Sequence, residues 1–197
     1  MTSKILLERA AALLVAGNEK FEGTLGKLIE EYELKPIVLP IFKTINLGRY
    51  KNIDWFKGAF VCLQNELGDL FSKLLSRVSI SPEKKEIDLV KVSVRDLTGK
   101  ESATCKEIYD VALSPKFGLA LCEPEDAPYL RVGYQEQPAG EILYMGMEPI
   151  VSDGYLFLFC AYRNVGVRWL SAYNYGHAGC VWDGFNVFVF RRPRKVS

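Results

Sequence analysis

Apolar side chains recur at helical spacing in the first third of the chain and at strand spacing in much of the rest. Ile5, Leu6, Ala10, Leu13 and Leu14 lie on one helical face, and Gly17 stops the pattern. Thr24 is placed to cap a second, shorter helix carrying Leu25, Leu28, Ile29 and Tyr32, which must end before Pro36. The proline-bracketed stretch 36–40 marks a boundary. The expected organisation is an N-terminal helical extension over residues 1–40 and an α+β domain over 41–197.

In that domain a strand at 42–47 leads through Gly48 into the clearest helical pattern of the chain. Asp54 is the expected N-cap, and Phe56, Phe60, Leu63, Leu67, Leu70 and Leu74 draw one apolar stripe. From Glu86 the period drops to two. Ile87, Leu89, Lys91 and Ser93 face one way and Asp88, Val90, Val92 and Val94 the other, which predicts a strand buried mainly on the second face. Thr104 and Glu107 have the spacing of a capping box, Ile108, Val111 and Ala112 supply a buried side, and Ser114-Pro115 ends that helix. Further strands are predicted at 119–121, 129–134, 141–149, 155–162, 167–173 and 185–191, with turns such as Ser152-Asp153-Gly154 and Asp183-Gly184 between them. In the last strand Phe188 and Phe190 alternate with Val187 and Val189, so it is apolar on both faces and belongs inside the sheet. Short links between strands imply fold class α+β: a mainly antiparallel sheet with helices packed on one side, preceded by the N-terminal helical segment.

With 197 residues, 49% of them hydrophobic and 25% charged, the chain can bury a full core without disulfides or metal. The 25 basic and 24 acidic residues nearly cancel, so no global field draws it to nucleic acid or to an anionic membrane. No run reaches the roughly 20 apolar residues of a membrane span. Glu8 and Arg9 interrupt the apolar N-terminal stretch, and no secretory cleavage pattern follows it. Five cysteines, odd in number and never in a C-x-x-C, read as reduced thiols of a cytoplasmic protein.

Several motifs from about Phe42 onward carry a resemblance: Lys43-Thr44-Ile45-Asn46-Leu47-Gly48, Glu86-Ile87-Asp88-Leu89-Val90, Gly118-Leu119-Ala120-Leu121-Cys122, Met147-Glu148-Pro149-Ile150, Arg168-Trp169-Leu170 and Phe188-Val189-Phe190. In their order the chain resembles a family of uncharacterised bacterial proteins. The resemblance implies one bacterial α+β unit and brings no activity, cofactor or catalytic residue with it. The chain departs from that pattern at 114–116 and over the first 35 residues.

Candidate chemistry concentrates between Tyr173 and Asp183. His177, the single histidine, lies three residues from Cys180, and an imidazole can hold a cysteine as the nucleophilic thiolate. With Asp183 these are the candidate catalytic residues; a turn histidine beside a half-buried cysteine is the ordinary alternative. Arg168, Trp169, Tyr173, Tyr175 and Trp182 are candidate ligand contacts, because flat rings beside polar groups bind sugars, bases or partner side chains. The ordinary alternative makes both tryptophans core residues. Glu123, Glu125 and Asp126 read as an acidic loop, and Glu148 as the carboxylate of an internal ion pair with Arg131 or Arg168. The tail Arg191-Arg192-Pro193-Arg194-Lys195 is basic enough to touch phosphates. No phosphate-binding glycine loop, serine elbow or zinc-ligand pairing is present, so no cofactor and no metal is expected. The leading expectation is a non-enzymatic binding or interaction module of the bacterial cytoplasm, with a protein or small-molecule partner and self-association through the N-terminal helices. A small enzyme using the 173–183 loop comes second, and a nucleic-acid-associated protein using the basic tail third.

Overall fold

The structure, a computed structural model, describes residues 36–194 except Lys51, His177 and Ala178. Both expected N-terminal helices lie outside the described residues. From Val38 onward the chain forms one unit by its internal contacts. Strand β1 (Lys43–Leu47) is followed by helix α1 (Ile53–Cys62). Asn52, not Asp54, caps that helix: its side-chain oxygen accepts from the N–H groups of Asp54 and Trp55 at 3.1 and 3.3 Å. The stripe expected to form one helix through Leu74 is broken. After Leu63, Gln64 takes a left-handed conformation (φ 53°), a short strand β2 follows (Asn65–Leu67), and helix α2 (Asp69–Leu74) runs into a 3-10 turn (Leu75–Arg77). A helix cannot contain the left-handed residue, and the β2 backbone bonds to a strand far along the chain.

Strand β3 (Lys85–Ser93) leads directly into helix α3 (Val94–Thr98), strand β4 (Ser102–Thr104) and helix α4 (Cys105–Leu113). The capping box forms as the spacing predicts: Thr104 Oγ1 accepts from Glu107 N–H, and the Glu107 carboxylate accepts from Thr104 N–H. Ser114 ends α4. The expectation of a strand buried on one face fails for β3, since Ile87 and Leu89 are as buried as Val90 and Val92. In place of the strand expected at 119–121, Ala120 makes an isolated bridge to Arg191, and Cys122, just beyond, makes another to Met147. The segment expected to be a strand at 129–134 is helical: α5 spans Asp126–Gly133. Pro128 is tolerated there because first-turn N–H groups have no intrahelical partner, and the acidic loop becomes this helix's start.

The remaining strands are β5 (Ile142–Met145), β6 (Ile150–Ser152), β7 (Tyr155–Arg163), β8 (Arg168–Gly176), β9 (Val181–Asp183) and β10 (Val187–Arg192). The main sheet runs β1-β3-β10-β5-β7-β8-β2 with β6 paired to β7, and β4 and β9 form a separate ribbon. The β10–β5 and β2–β8 pairs are parallel and the others antiparallel, so the sheet is mostly antiparallel within an α+β fold. Gly146, just past β5, is required by close packing: a Cβ there would lie 2.3 Å from the Phe190 ring.

Helices cover both faces of this sheet, not one. Phe190 of β10 meets Tyr109 of α4 with ring centroids 6.1 Å apart, whereas Phe159 of β7 meets Phe71 of α2 at 4.6 Å. The register from Phe188 through Tyr144 to Cys160 puts Phe190 and Phe159 on opposite faces. Helix α5 shares the Phe159 side, where its Asp126 accepts from Arg191. The cause is in the central strands: Phe188, Val189 and Phe190 are all fully buried, so each face needs a cover. Among the described residues no helix is long and apolar enough to cross a membrane.

Candidate functional site

The loop singled out by sequence is divided by the fold. Trp182, in β9, is 3% exposed and packs against Tyr144, Tyr173 and Phe188 at centroid distances of 4.7, 5.3 and 4.9 Å. Tyr173 is the outer ring of that cluster, 43% exposed. Tyr175 belongs to β8, with its side chain outside the described set, and His177 lies outside the described residues altogether. Cys180 is half-buried, and its thiol is 4.0 Å from the carbonyl of Val181. Asp183 is exposed, and its backbone pairs with Ser102. All five cysteines are free thiols. Burial pushes the Cys160 thiol up to about 12, and burial reinforced by the Asp126 charge pushes Cys122 up as well; both are protonated and inert at neutral pH.

Along β8, alternate residues point to opposite faces, so Trp169 and Tyr173 share one face and Arg168 belongs to the other. Trp169 lies parallel to Tyr162 of β7, with centroids 6.0 Å apart and planes 6° apart. Its indole N–H donates to Asn164 at 3.2 Å. Both rings of the stack are half-buried. Tyr173 lies on the same face of β8, four residues further along.

The opposite face carries a grouping that sequence reasoning missed, although Arg168 was named there as a candidate ligand contact. Arg163 and Arg168 sit directly across from each other in the β7–β8 register. Arg131 of α5 is fully buried and donates to the Gln137 side chain and the Tyr134 carbonyl. Gln137, also fully buried, accepts from Arg163 through its carbonyl at 2.7 Å and donates to the carbonyl of Ala161 at 3.1 Å. Arg168 donates to Asn65 at 3.2 Å and to the Leu63 carbonyl at 2.8 Å. Burial first, then the charges of Arg168 and Arg163, lower the proton affinity of Arg131. The expected ion pair of Glu148 with Arg131 or Arg168 is not made: Glu148 is exposed, and both arginines bond elsewhere. One signal was available, since Asn164 and Gly166 mark a tight turn that places Arg163 against Arg168. Nothing local in the sequence brings Arg131 to them.

The basic tail is largely spent on internal acids. Arg191 donates twice to the fully buried Asp126, at 2.6 and 2.8 Å. Arg194 does the same to Asp88 at 2.7 and 2.8 Å, and reaches Glu86. Arg192 donates to the carbonyl of Leu39. Glu125 accepts from the Ser81 N–H at 2.8 Å. Among the described residues no three His, Cys, Asp or Glu side chains are grouped to hold a metal.

Comparison of the chain with protein-family models, with curated proteins and with solved structures finds no match.

Proposed function

We propose that the chain is a non-enzymatic binding module of a bacterial cytoplasmic protein, contacting its partner through the aromatic face of β7 and β8. The observation that carries this reading is the Tyr162–Trp169 stack, half-buried and held parallel, with Tyr173 exposed four residues further along the same face of β8. Rings fixed by strand backbones lose little freedom on binding, and their faces suit sugar rings, bases or apolar side chains. Arg191 and Arg194 of the tail are already paired with aspartates, which weakens the nucleic-acid alternative.

The test is a thermal-shift screen of saccharides, nucleosides and short peptides against the full chain, followed by titration of any hit into variants. Trp169→Ala and Tyr173→Ala should weaken a genuine hit about tenfold each, on the scale of one lost ring contact. Cys180→Ala should leave it unchanged. Loss of the hit in Cys180→Ala, with Trp169→Ala silent, would move the site to the 173–183 loop and sink this reading.

A further inference from the structure

Several cations of this fold hold carboxylates. Arg191 and Arg194 each hold an aspartate by two hydrogen bonds, and Lys91 holds Glu141 at 2.6 Å. Arg131, Arg163 and Arg168 gather on one face, and among the described residues none of them forms an ion pair with a carboxylate. Two of them are cross-strand neighbours, an arrangement that like charges disfavour. The third is buried without a counter-ion, which a protein ordinarily avoids. Glu141, the nearby acid, gives its Oε1 to Lys91 and forms no ion pair with any of the three arginines.

The Nε groups of Arg131 and Arg163 and the side-chain amide nitrogen of Asn65 are buried without a partner, and so is one acceptor nearby, Glu141 Oε2. Donors outnumber that acceptor three to one. The gathering is built: Gln137 ties Arg131 to Arg163, and Asn65 of β2 fixes the Arg168 guanidinium. Arg163 and Arg168 are half-buried rather than sealed, so an ion can approach them from solvent with the Arg131 charge behind.

We propose that the end of the β7–β8 hairpin is a binding site for a phosphoryl group, in which Arg163 and Arg168 contact the oxygens and the buried Arg131 supplies charge from behind. Guanidinium donors from two strands and a third positive charge from a helix suit a tetrahedral dianion better than a planar carboxylate, which takes its donors in one plane. The group is either free phosphate or the phosphate of a larger ester. The site lies on the sheet face away from the Tyr162–Trp169 stack, so it stands whether or not that stack binds a partner.

Calorimetric titration of the full chain at low ionic strength, with inorganic phosphate in one arm and phosphoserine in the other, tests it. Saturable one-to-one binding is expected, weakened about tenfold in Arg163→Gln and again in Arg168→Gln, and weakened by added chloride. Tighter binding of phosphoserine assigns the site to esters; equal or tighter binding of inorganic phosphate assigns it to the free anion. Arg168 also anchors β2, so each variant is first checked for a native circular dichroism spectrum. If neither variant folds, the wild-type titration decides alone. Absence of saturable binding by wild type, or undiminished binding in a folded Arg163→Gln, overturns the proposal.

Discussion

Removing the Trp182 ring takes away a side chain that is 3% exposed and touches three other aromatic rings. Trp182→Ala is therefore expected to cost about 3–5 kcal/mol in denaturant unfolding, against about 1 kcal/mol for the half-buried Trp169. An unchanged midpoint for Trp182→Ala would put that ring at the surface. Asp88 makes a sharper test, through pH. Hydrogen bonds from Arg194, then from Thr44, hold its carboxyl down from 3.8 to about 2. A folded pKa below the unfolded one means that its stabilisation is complete above the unfolded value and disappears as pH falls through the folded value. The stability gap between wild type and Asp88→Asn should be flat from neutral pH to about 5 and close between about 4 and 2. A gap that persists at the acid end would mean the Arg194 pairing contributes nothing. Thiol labelling of the native chain should find Cys62 first, since it is exposed, then the half-buried Cys180, and Cys105, Cys122 and Cys160 only on unfolding.

At the scale of elements, the segment between α1 and α2 shows how tertiary demand overrides local pattern. The stripe from Phe56 to Leu74 is continuous in sequence, yet Gln64 breaks it so that Asn65–Leu67 can pair with β8, and Asn65 lies 103 residues from its partner Arg168. No local signal announces a demand made at that distance. Gln64→Gly should keep or raise stability by up to about 1 kcal/mol, because glycine takes positive φ without strain. Gln64→Val should lower it by about 1–2 kcal/mol; equal stabilities by chemical denaturation would remove the strain argument. Helix α5 was illegible for a different reason. Residues from Asp126 to Arg131 are all buried, so it has no polar stripe to reveal a helical period, and Tyr129 and Tyr134 favour a strand reading. The capping box of α4 was legible because its two partners lie three residues apart. Strands β7 and β10 were legible because each carries an unbroken apolar run beside turn residues, and β8 because aromatic residues recur along it. The flat-ringed face was half visible, since Trp169 and Tyr173 sit four apart on one strand and so on the same face. The arginine group was not, because helix, hairpin and short strand each contribute to it.

Across the whole molecule, the unit that begins at Val38 has its own contacts and its own core. A chain starting at Val38 keeps the Leu39 carbonyl that accepts from Arg192 at 3.1 Å. It is expected to unfold in a single cooperative transition by circular dichroism. A shortened chain that aggregates or melts without cooperativity would show that earlier residues complete the core.

The position of β10 in the sheet also sets a schedule for making the protein. It lies between β3 and β5, so β1 and β3 share no ladder with β5, β7 and β8 until residues 187–192 are in place. On a ribosome the chain emerges N-terminal end first, and these are among the last of the described residues to appear. Two partial sheets must therefore wait side by side, the Phe190 slot against Gly146 still empty and the edges of β3 and β5 unpaired. Exposed strand edges of that kind recruit other chains, so a nascent chain stalled before Val187 is a species for a holding chaperone rather than a half-folded domain.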